Sequence, residues 1–258
     1  MPPRALRPSG LLLVDKPPGP SSFAVIARIR RRTGARTGHA GTLDPFASGL
    51  LLVLSGATTR LAPWFVGLDK RYLTGIDLAS RTSTGDLEGD ITGEQDPPGE
   101  DELERRLAAL RGEVELPIPA TSAVKIGGER AYRLARRGVE VEMPLRRSRI
   151  DALDVIAYTG GIVALDLHVS SGTYVRSIAD ALGGHCRTLR RTEVGPFRVQ
   201  DADEERMLPA AEALPFLPAE TVTEDEARAL RTGRRRGSEG TRYLLDGELV
   251  AVGKTVLP

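Results

Sequence analysis

Short apolar runs separated by turn residues dominate the hydrophobic pattern of this 258-residue chain. The runs Leu11–Val14 and Gly49–Leu54 predict two buried strands, because short continuous apolar runs are typical of strands covered on both faces. Polar and apolar residues alternate in Arg71–Ala79, which predicts a half-buried strand. Further strands are predicted near Ile150–Ala157, Ile162–Val169 and Gly195–Val199.

Helical spacing is clearest after the first strand. Phe23, Ile26 and Ile29 follow the serines at 21 and 22, so we expect a serine-capped helix that Gly34 ends. Other helical patterns cover Thr58–Val66, Asp101–Leu110, Thr173–Leu182, two turns near Glu129–Arg137 and a short stretch after residue 220. Strands and helices mix without a regular βαβ alternation, which predicts an α+β fold.

Composition shifts mark three segments that differ from the rest. Residues 83–100 are acidic and rich in Gly, Pro and Thr, which is typical of a loop. Residues 117–149 combine Pro, Gly and Arg and are predicted to form a surface excursion. Residues 209–218 resemble a linker, so we predict a main domain over 1–219 and a small module over 220–258 with a hairpin at Asp246-Gly247.

The composition excludes several classes of protein. With 40% hydrophobic residues the chain can bury a core, which excludes wholesale disorder. No apolar run approaches the roughly 20 residues of a spanning helix, and residues 1–10 lack the apolar region of a secretory signal. A single Cys186 excludes a disulfide framework and a cysteine-based zinc site, and His39, His168 and His185 show no ligand spacing. We therefore expect a cytoplasmic protein without a metal.

Charge is arranged in blocks although the formal net charge is only +1. Residues 1–60 hold nine Lys or Arg against two Asp, and residues 105–149 hold eleven basic against five acidic side chains. Only four of the 36 basic residues are Lys, and guanidinium groups suit bidentate phosphate contacts. The blocks indicate either a basic face for nucleic acid or ordinary solvated surfaces, and composition alone does not choose.

The densest group of reactive side chains lies in residues 38–45, GHAGTLDP. Asp before Pro, with glycines nearby, is typical of a plain turn. A carboxylate such as Asp44, fixed in a loop, is equally suited to act as a nucleophile or a general base. The spacing leaves both interpretations open.

Two further groups carry possible chemistry. In residues 171–178, Thr173 is predicted to begin a helix, which places Tyr174 and Arg176 in its first turn. The helix dipole disfavours a cation there, so Arg176 is either an exposed residue or one held by a carboxylate or phosphate. Residues 70–72, KRY, place a basic pair before an aromatic ring.

Six motifs occur together and in one order along residues 10–200: LLVDKP at 12–17, GHAGTLDPFASG at 38–49, KRY at 70–72, RTSTGD at 81–86, TSAVK at 121–125 and GTYVR at 172–176. In this combination the chain resembles the TruB-type tRNA pseudouridine synthases. One motif alone would be weak evidence, whereas six in order are specific.

The resemblance implies a fold and an activity. The fold is the pseudouridine synthase fold, with a central mixed, mainly antiparallel sheet flanked by helices and loops. The activity is the isomerisation of uridine 55 in the T-loop of tRNA to pseudouridine, in which the N1–C1′ bond breaks, the base rotates and C5 joins C1′. This chemistry implies no cofactor or metal, and the implied partner is the T-arm of tRNA, bound by a monomer without a protein partner.

The resemblance also implies three catalytic residues. Asp44 matches the essential aspartate and is the nucleophile, and the sequence leaves open whether it attacks C1′, adds at C6 or assists elimination. Arg176 matches the arginine that pairs with this aspartate and keeps it ionised by lowering its pKa. Tyr72 matches the tyrosine that stacks on the flipped base, and stacking suits a phenol of pKa near 10 better than deprotonation of C5.

Other matching positions are implied to bind substrate. His39 matches a histidine that helps to open the T-loop by filling the vacated stack, the alternative being a turn histidine. Leu189 matches the apolar wall of the uracil pocket, and Asp86 an acid of the polar network. Tyr174 lies in the GTYVR motif, and Lys16 either supports the catalytic loop or contacts phosphate.

The excursion at 117–149 matches a flexible insertion that closes over the T-arm. Its basic side chains are expected to contact phosphate; they are Lys125, Arg130, Arg133, Arg136 and Arg137. Family members usually end in a PUA-type RNA-binding domain, so residues 220–258 are interpreted as a reduced PUA-like module with Arg234–Arg236 facing RNA.

Two alternatives accompany this hypothesis. A noncatalytic tRNA-binding or folding protein on the same fold is one, although an acid at position 44 would repel phosphate in a pure binder. A guide-RNA-dependent synthase is the other; that form carries a full PUA domain and lacks the insertion, the opposite of this chain.

Overall fold

A computed structural model describes residues 9–139 and 141–257, so predictions on residues 1–8, including Arg4 and Arg7 of the first basic block, lie outside the described residues. The chain forms two compact units, described separately below. The terminal unit comprises residues 1–68 and 193–258, and the central unit comprises residues 69–192.

The helices are α1 (Ser22–Thr33), α2 (Ala62–Val66), α3 (Glu100–Ala108), α4 (Ala131–Arg136), α5 (Val175–Leu182) and α6 (Glu224–Arg231), with 3-10 turns at Gly56–Leu61 and Val199–Asp201. The strands are β1 (Gly10–Lys16), β2 (Thr37–His39), β3 (Ser48–Ser55), β4 (Lys70–Asp77), β5 (Ser80–Thr82), β6 (Ile91–Glu94), β7 (Gly112–Pro117), β8 (Lys125–Ile126), β9 (Glu129–Arg130), β10 (Leu145–Thr159), β11 (Ile162–Val169), β12 (His185–Val194), β13 (Phe197–Arg198), β14 (Asp203–Leu208), β15 (Ala219–Thr221), β16 (Arg242–Leu245), β17 (Glu248–Val252) and β18 (Thr255–Val256).

In the terminal unit, β1 lies between β14 and β3 and pairs antiparallel with both. Continuous apolar sequence makes β1 and β3 buried on both faces, as predicted. Ser21 caps α1 through its Oγ, which accepts from the amide of Ala24 at 3.2 Å, and Gly34 ends the helix at a φ of 62°. The predicted cap and stop of this helix are therefore confirmed.

The C-terminal residues of the terminal unit form a four-stranded sheet in the order β15-β16-β17-β18, with α6 against it. Thr223 and Glu226 close a reciprocal capping box at the start of α6. The hairpin predicted at Asp246-Gly247 is confirmed: both residues have positive φ, 50° and 83°, as a type I′ turn requires. The PUA-like character of this module stays a prediction.

The central unit is built on a sheet in the order β12-β4-β11-β10-β7. The strand β11 occupies the predicted residues 162–169 and pairs antiparallel with β4 and β10. One face of β4 is buried at alternate positions, beginning with Lys70 and Tyr72. The α+β class and the mainly antiparallel sheet are thus confirmed.

The strands predicted from the sequence differ from the observed strands mainly where the strands contain charged residues. The strand β12 was not predicted, because Arg187, Arg190 and Arg191 obscure its apolar pattern. The strand predicted near 195–199 is confirmed only at its centre: the two-residue β13 follows a turn and precedes a 3-10 turn. The strand β10 begins at Leu145, which pairs with Pro117, so the predicted excursion is closed at its base by β-pairing.

Smaller differences concern helix ends and the predicted loop at 83–100, which contains β6. The helix predicted from Thr58 is a 3-10 turn followed by α2, with a proline in the first helical turn. In the described part of the chain, no helix has the length and apolar character needed to cross a membrane.

Candidate functional site

The loop that carries Asp44 in the terminal unit is anchored from below by a buried lysine. Lys16, at the end of β1, is fully buried. Its ammonium donates to the carbonyls of Pro17 at 2.9 Å, Pro20 at 2.8 Å and Pro45 at 3.1 Å. Because Pro45 follows Asp44 directly, these bonds fix the backbone on one side of the carboxylate. Lys16 was predicted either to support the catalytic loop or to contact phosphate, and these three hydrogen bonds match the first role.

A serine fixes the other side of Asp44. The Oγ of Ser22, in the first turn of α1, donates to the carbonyl of Leu43 and accepts from its amide, both at 2.9 Å. The amide of Ala47 donates to the carbonyl of Asp44 at 3.2 Å, which closes a turn. Asp44 itself is half-buried. The backbone on both sides of Asp44 is therefore held while its side chain is partly accessible, as a nucleophile needs.

His39 lies at the end of β2 in the same unit, five residues before Asp44. It is opposite Val53 in the β2–β3 pair and is half-buried. The strand pairing explains its position, and its role on RNA stays a prediction.

In the central unit, Arg176 is the second residue of α5 and is 4% exposed. Its Nη1 donates to the carbonyl of Thr84 at 2.9 Å and makes a short bond to the hydroxyl of Thr121. Its Nη2 donates to the carbonyl of Thr121 at 3.3 Å, and the carboxylate of Asp86 lies 3.6 Å from Nη1. The guanidinium is thus held in one orientation by residues from two other predicted motifs.

Asp86 is itself fixed by short-range bonds. One carboxylate oxygen accepts from the hydroxyl of Thr84 at 2.6 Å and from the amide of Glu88 at 3.1 Å. The structure therefore brings Asp86 and Arg176 together in one buried network. The predicted pairing of Arg176 with Asp44 joins residues of different units and stays a prediction.

Tyr72 and Leu189 lie on neighbouring strands of the central unit. Tyr72, on β4, is 7% exposed, and Leu189, on β12, is 8% exposed. The two strands are tied by the hydroxyl of Thr74, which donates to the carbonyl of Thr188 at 2.7 Å. An aromatic ring and an apolar side chain at adjacent strands suit the wall of a base pocket.

Tyr174 caps α5 by its backbone rather than by its side chain. Its φ of −99° and ψ of 116° are extended, and its carbonyl accepts from the amide of Ile178 at 3.3 Å. The helix therefore begins at Val175, two residues later than predicted, and Tyr174 is its cap rather than a residue of its first turn.

The segment 117–149 carries exposed basic side chains on a small hairpin and one short helix. Lys125 and Arg130 are opposite each other in the β8–β9 pair, and both are exposed. Arg133 and Arg136 lie over the ring of Tyr132, at 5.9 and 5.7 Å from its centroid. The arrangement presents cations toward solvent, which suits phosphate contacts.

Arg137 and Arg235 are used within the protein. Arg137 forms a bidentate pair with Glu129 at 2.7 and 2.9 Å. Arg235 binds Glu220 at 2.5 Å and Glu226 at 2.8 Å. The prediction that Arg234–Arg236 faces RNA stays a prediction, and Arg235 is already paired with two carboxylates of its own module.

Sequence reasoning missed the environment of Lys70, the first residue of the KRY motif. This side chain is 6% exposed, and its pKa is lowered to about 8 by burial and by the nearby cations Arg191 and Arg146. The available signal was its position two residues before Tyr72, which puts both on one face of the strand.

One group of described residues has the spacing of metal ligands. Atoms of Asp69, Asp151 and His168 lie within 4.8 Å of one another. Arg149 already contacts both carboxylates, Asp69 at 3.0 Å and Asp151 at 2.7 Å. The group is therefore an ion-pair cluster whose negative charge is partly neutralised.

Comparison with known proteins places these features in a family. A model described as TruB family pseudouridylate synthase, N-terminal domain, matches residues 29–175. A protein of Leifsonia xyli subsp. xyli named tRNA pseudouridine synthase B is 42% identical, over 94% of this chain and 88% of its own length. A protein of the same name from Mycobacterium sp. (strain KMS) is 41% identical, over 90% of this chain and 85% of its own length.

A solved structure described as a Cbf5-Nop10-Gar1 complex has the same fold, with a TM-score of 0.70 at 23% identity over 95% of this chain and 79% of that chain. Together with the family model, this likeness confirms the predicted pseudouridine synthase fold. The chain belongs to the TruB family of pseudouridylate synthases.

Proposed function

We propose that this chain isomerises uridine 55 in the T-loop of tRNA to pseudouridine, with Asp44 as the nucleophile. Family membership and relatives named tRNA pseudouridine synthase B support tRNA as the substrate. The observation that carries the proposal is the anchoring of the Asp44 loop by Lys16 and Ser22, which holds the backbone on both sides of this half-buried residue. A surface turn without a catalytic residue would not require a buried ammonium that binds its carbonyls.

The reaction rearranges one nucleotide without adding atoms to it. The N1–C1′ bond breaks, the detached uracil rotates, and a C5–C1′ bond forms. C5 then loses its proton and N1 gains one, so the product is an isomer of the substrate. A carboxylate serves this reaction by attacking C1′ or C6, or by assisting elimination, and each route needs Asp44 ionised.

Arg176 is proposed to keep Asp44 ionised when RNA covers the reacting groups. A cation near a carboxylate lowers its pKa and opposes the effect of desolvation. The hydrogen bonds that Arg176 donates to the carbonyls of Thr84 and Thr121 support this role, because they fix the orientation of the guanidinium before substrate arrives.

The remaining residues are proposed to bind RNA. Tyr72 stacks on the flipped uracil and Leu189 forms an apolar wall of its pocket, while His39 fills the space that the base leaves. Asp86 and Tyr174 hold the residues around Arg176. Lys125, Arg130 and Arg133 contact phosphates of the T-arm, since exposed cations fix the register of a nucleic acid.

The test is tritium release from a tRNA transcript labelled at uridine C5. We expect release by the wild-type protein and none by Asp44→Asn, with Asp201→Asn, an exposed aspartate of the same unit, behaving as wild type. A transcript with cytidine in place of uridine 55 should release nothing. Tight binding of tRNA with no release by the wild-type protein would instead identify a noncatalytic tRNA-binding protein.

A further inference from the structure

A cluster of cations lies in the central unit at the start of β4. Lys70 is 6% exposed and Arg191, on β12, is 1% exposed. The ammonium of Lys70 lies 3.4 Å from the hydroxyl of Ser171, in the loop between β11 and α5. The cluster therefore combines buried positive charge with a hydroxyl donor.

Arg146, on β10, completes the cluster. Its guanidinium packs on the backbone of Gly172, where any side chain would overlap its nitrogen atoms. Gly172 follows Ser171 and has a φ of 82°, so the loop turns with a bare backbone at this point. The hydroxyl, the ammonium and the guanidinium thus converge on one loop.

The electrostatic balance of this cluster favours an anion. Arg191 and Arg146 both lower the pKa of Lys70, to about 8, together with burial. Asp69 raises this pKa, and its carboxylate is also paired with Arg149 at 3.0 Å. Neighbouring buried cations repel one another, and a bound anion would relieve that repulsion.

The position of the cluster relative to Tyr72 indicates which anion fits. Lys70 and Tyr72 are both buried and lie on the same face of β4, two residues and about 6.6 Å apart along the strand. In a nucleotide, one sugar separates the base from its phosphate. A base stacked on Tyr72 would therefore carry a backbone phosphate toward Lys70. The N-terminus of α5, three residues after Gly172, adds a favourable dipole for negative charge.

We propose that Lys70, Arg146 and Ser171 bind an RNA backbone phosphate that flanks the flipped nucleotide. The inference rests on the proposed function, because it places the base of that nucleotide on Tyr72. An ammonium, a guanidinium and a hydroxyl supply donors in several directions, as the oxygens of a phosphodiester require. Arg191 contributes positive charge from behind rather than a direct contact, since it is almost completely buried.

The first experiment removes one cation at a time and measures tRNA binding against salt concentration. In Arg146→Ala, the slope of log Kd against log salt should fall by about 0.7 to 0.9, and binding should weaken roughly tenfold. The control is Arg111→Ala, which removes an exposed arginine of the same unit that is paired with Glu104 at 2.8 Å. An equal slope in both variants and the wild type would overturn the proposal.

The second experiment removes the phosphate charge from the RNA. Tritiated T-arm RNAs carry a neutral methylphosphonate immediately 5′ or immediately 3′ of uridine 55, and each is bound to wild-type protein and to Arg146→Ala. At one of the two positions, the methylphosphonate and Arg146→Ala together should weaken binding by less than the sum of their separate effects, because both changes remove the same contact. Additive losses at both positions would overturn the proposal, as would absence of T-arm binding.

The outcomes separate this inference from the proposed function. Tritium release by wild-type protein together with additive losses overturns the phosphate site and keeps the enzyme. Absence of release together with non-additive losses overturns the enzyme and keeps an RNA phosphate site. Because the readout is binding of RNA by single exposed-residue variants, it does not depend on a folded Lys70 variant.

Discussion

The guanidinium of Arg176 lies 3.6 Å from the carboxylate of Asp86, with only 4% and 6% of the two side chains exposed. The carboxylate is held by Thr84 and by the amide of Glu88, so its position does not depend on the arginine. The pair therefore forms a fixed electrostatic support at the start of α5. A buried pair of this kind is costly to break, because one charge remains in a low-dielectric interior.

Asp86→Asn should destabilise the protein. The amide can still accept from Thr84, so the change removes charge and leaves shape. We expect the free energy of unfolding to fall by about 3 kcal/mol, the usual cost of stripping one partner from a buried ion pair. Urea unfolding monitored by circular dichroism measures this loss. Asp154→Asn, at an exposed position of β10, is the control, and equal stability of the two variants would contradict the argument.

Thr121→Val tests whether the orientation of Arg176 matters for turnover. The substitution keeps the shape but removes the hydroxyl that binds Nη1 of Arg176. We expect kcat to fall roughly tenfold, equivalent to one bond to a charged group, with little change in tRNA affinity. Thr121→Ser restores the hydroxyl and should restore kcat. Failure of the serine variant to recover kcat would show that Thr121 acts through packing.

Lys16→Met should loosen the loop that carries Asp44. The methionine retains the aliphatic stem but leaves the carbonyls of Pro17, Pro20 and Pro45 without the ammonium that they bind. We expect a loss of about 3 kcal/mol in unfolding free energy, since unmade bonds to buried groups carry their full desolvation cost. Lys254→Met, at an exposed lysine of the same unit, should change little by the same urea titration. Similar losses in both would remove the basis for a special role of Lys16.

Local signals in the sequence were sufficient for the elements with simple patterns. The serines at 21 and 22 and Gly34 predict both ends of α1, and the strand predicted near Ile162–Val169 coincides with β11. The order of the motifs identifies Asp44, Tyr72 and Arg176 as candidates, whereas spacing alone leaves open whether Asp44 is a turn residue or a reactive carboxylate. The confirmed elements share one cause: each signal lies within a few residues of the helix end or strand that it predicts.

Features that depend on long-range contacts were not predictable. The strand β12 is rich in arginine, yet Arg191 is only 1% exposed in the folded sheet. The support of Arg176 comes from Thr84 and Thr121, which are 92 and 55 residues away. Periodicity reports burial within one element, so it carries no information about which distant carbonyls a buried cation will meet.

The lowered pKa of Lys70 predicts how stability changes with pH. The folded protein holds this pKa at about 8, below the ordinary value of 10.5, so between these values the unfolded chain binds more protons. Stability contributed by this group therefore rises as pH increases from about 8 toward 10. Urea titrations of wild-type protein and Lys70→Met over this range should show a gain in the wild type that the variant lacks. A steeper gain in the variant would reverse the sign and contradict the argument.

Gly172→Ala separates backbone strain from displacement of Arg146. The φ of 82° disfavours any side chain, at a cost of about 1–2 kcal/mol in stability, and Gly112→Ala, with a φ of 86° and open space around it, should incur the same strain. Only at Gly172 does the added methyl group overlap the guanidinium of Arg146, so only this variant should also lower the salt slope of tRNA binding.

In the Arg146→Ala background, Gly172→Ala should therefore change stability but produce no further fall in the slope. The comparison uses urea unfolding for the strain and binding isotherms at several salt concentrations for the slope. If Gly112→Ala lowered the slope as much as Gly172→Ala does, the effect would come from strain in glycine turns generally, and Arg146 would lose its assigned place in the phosphate site.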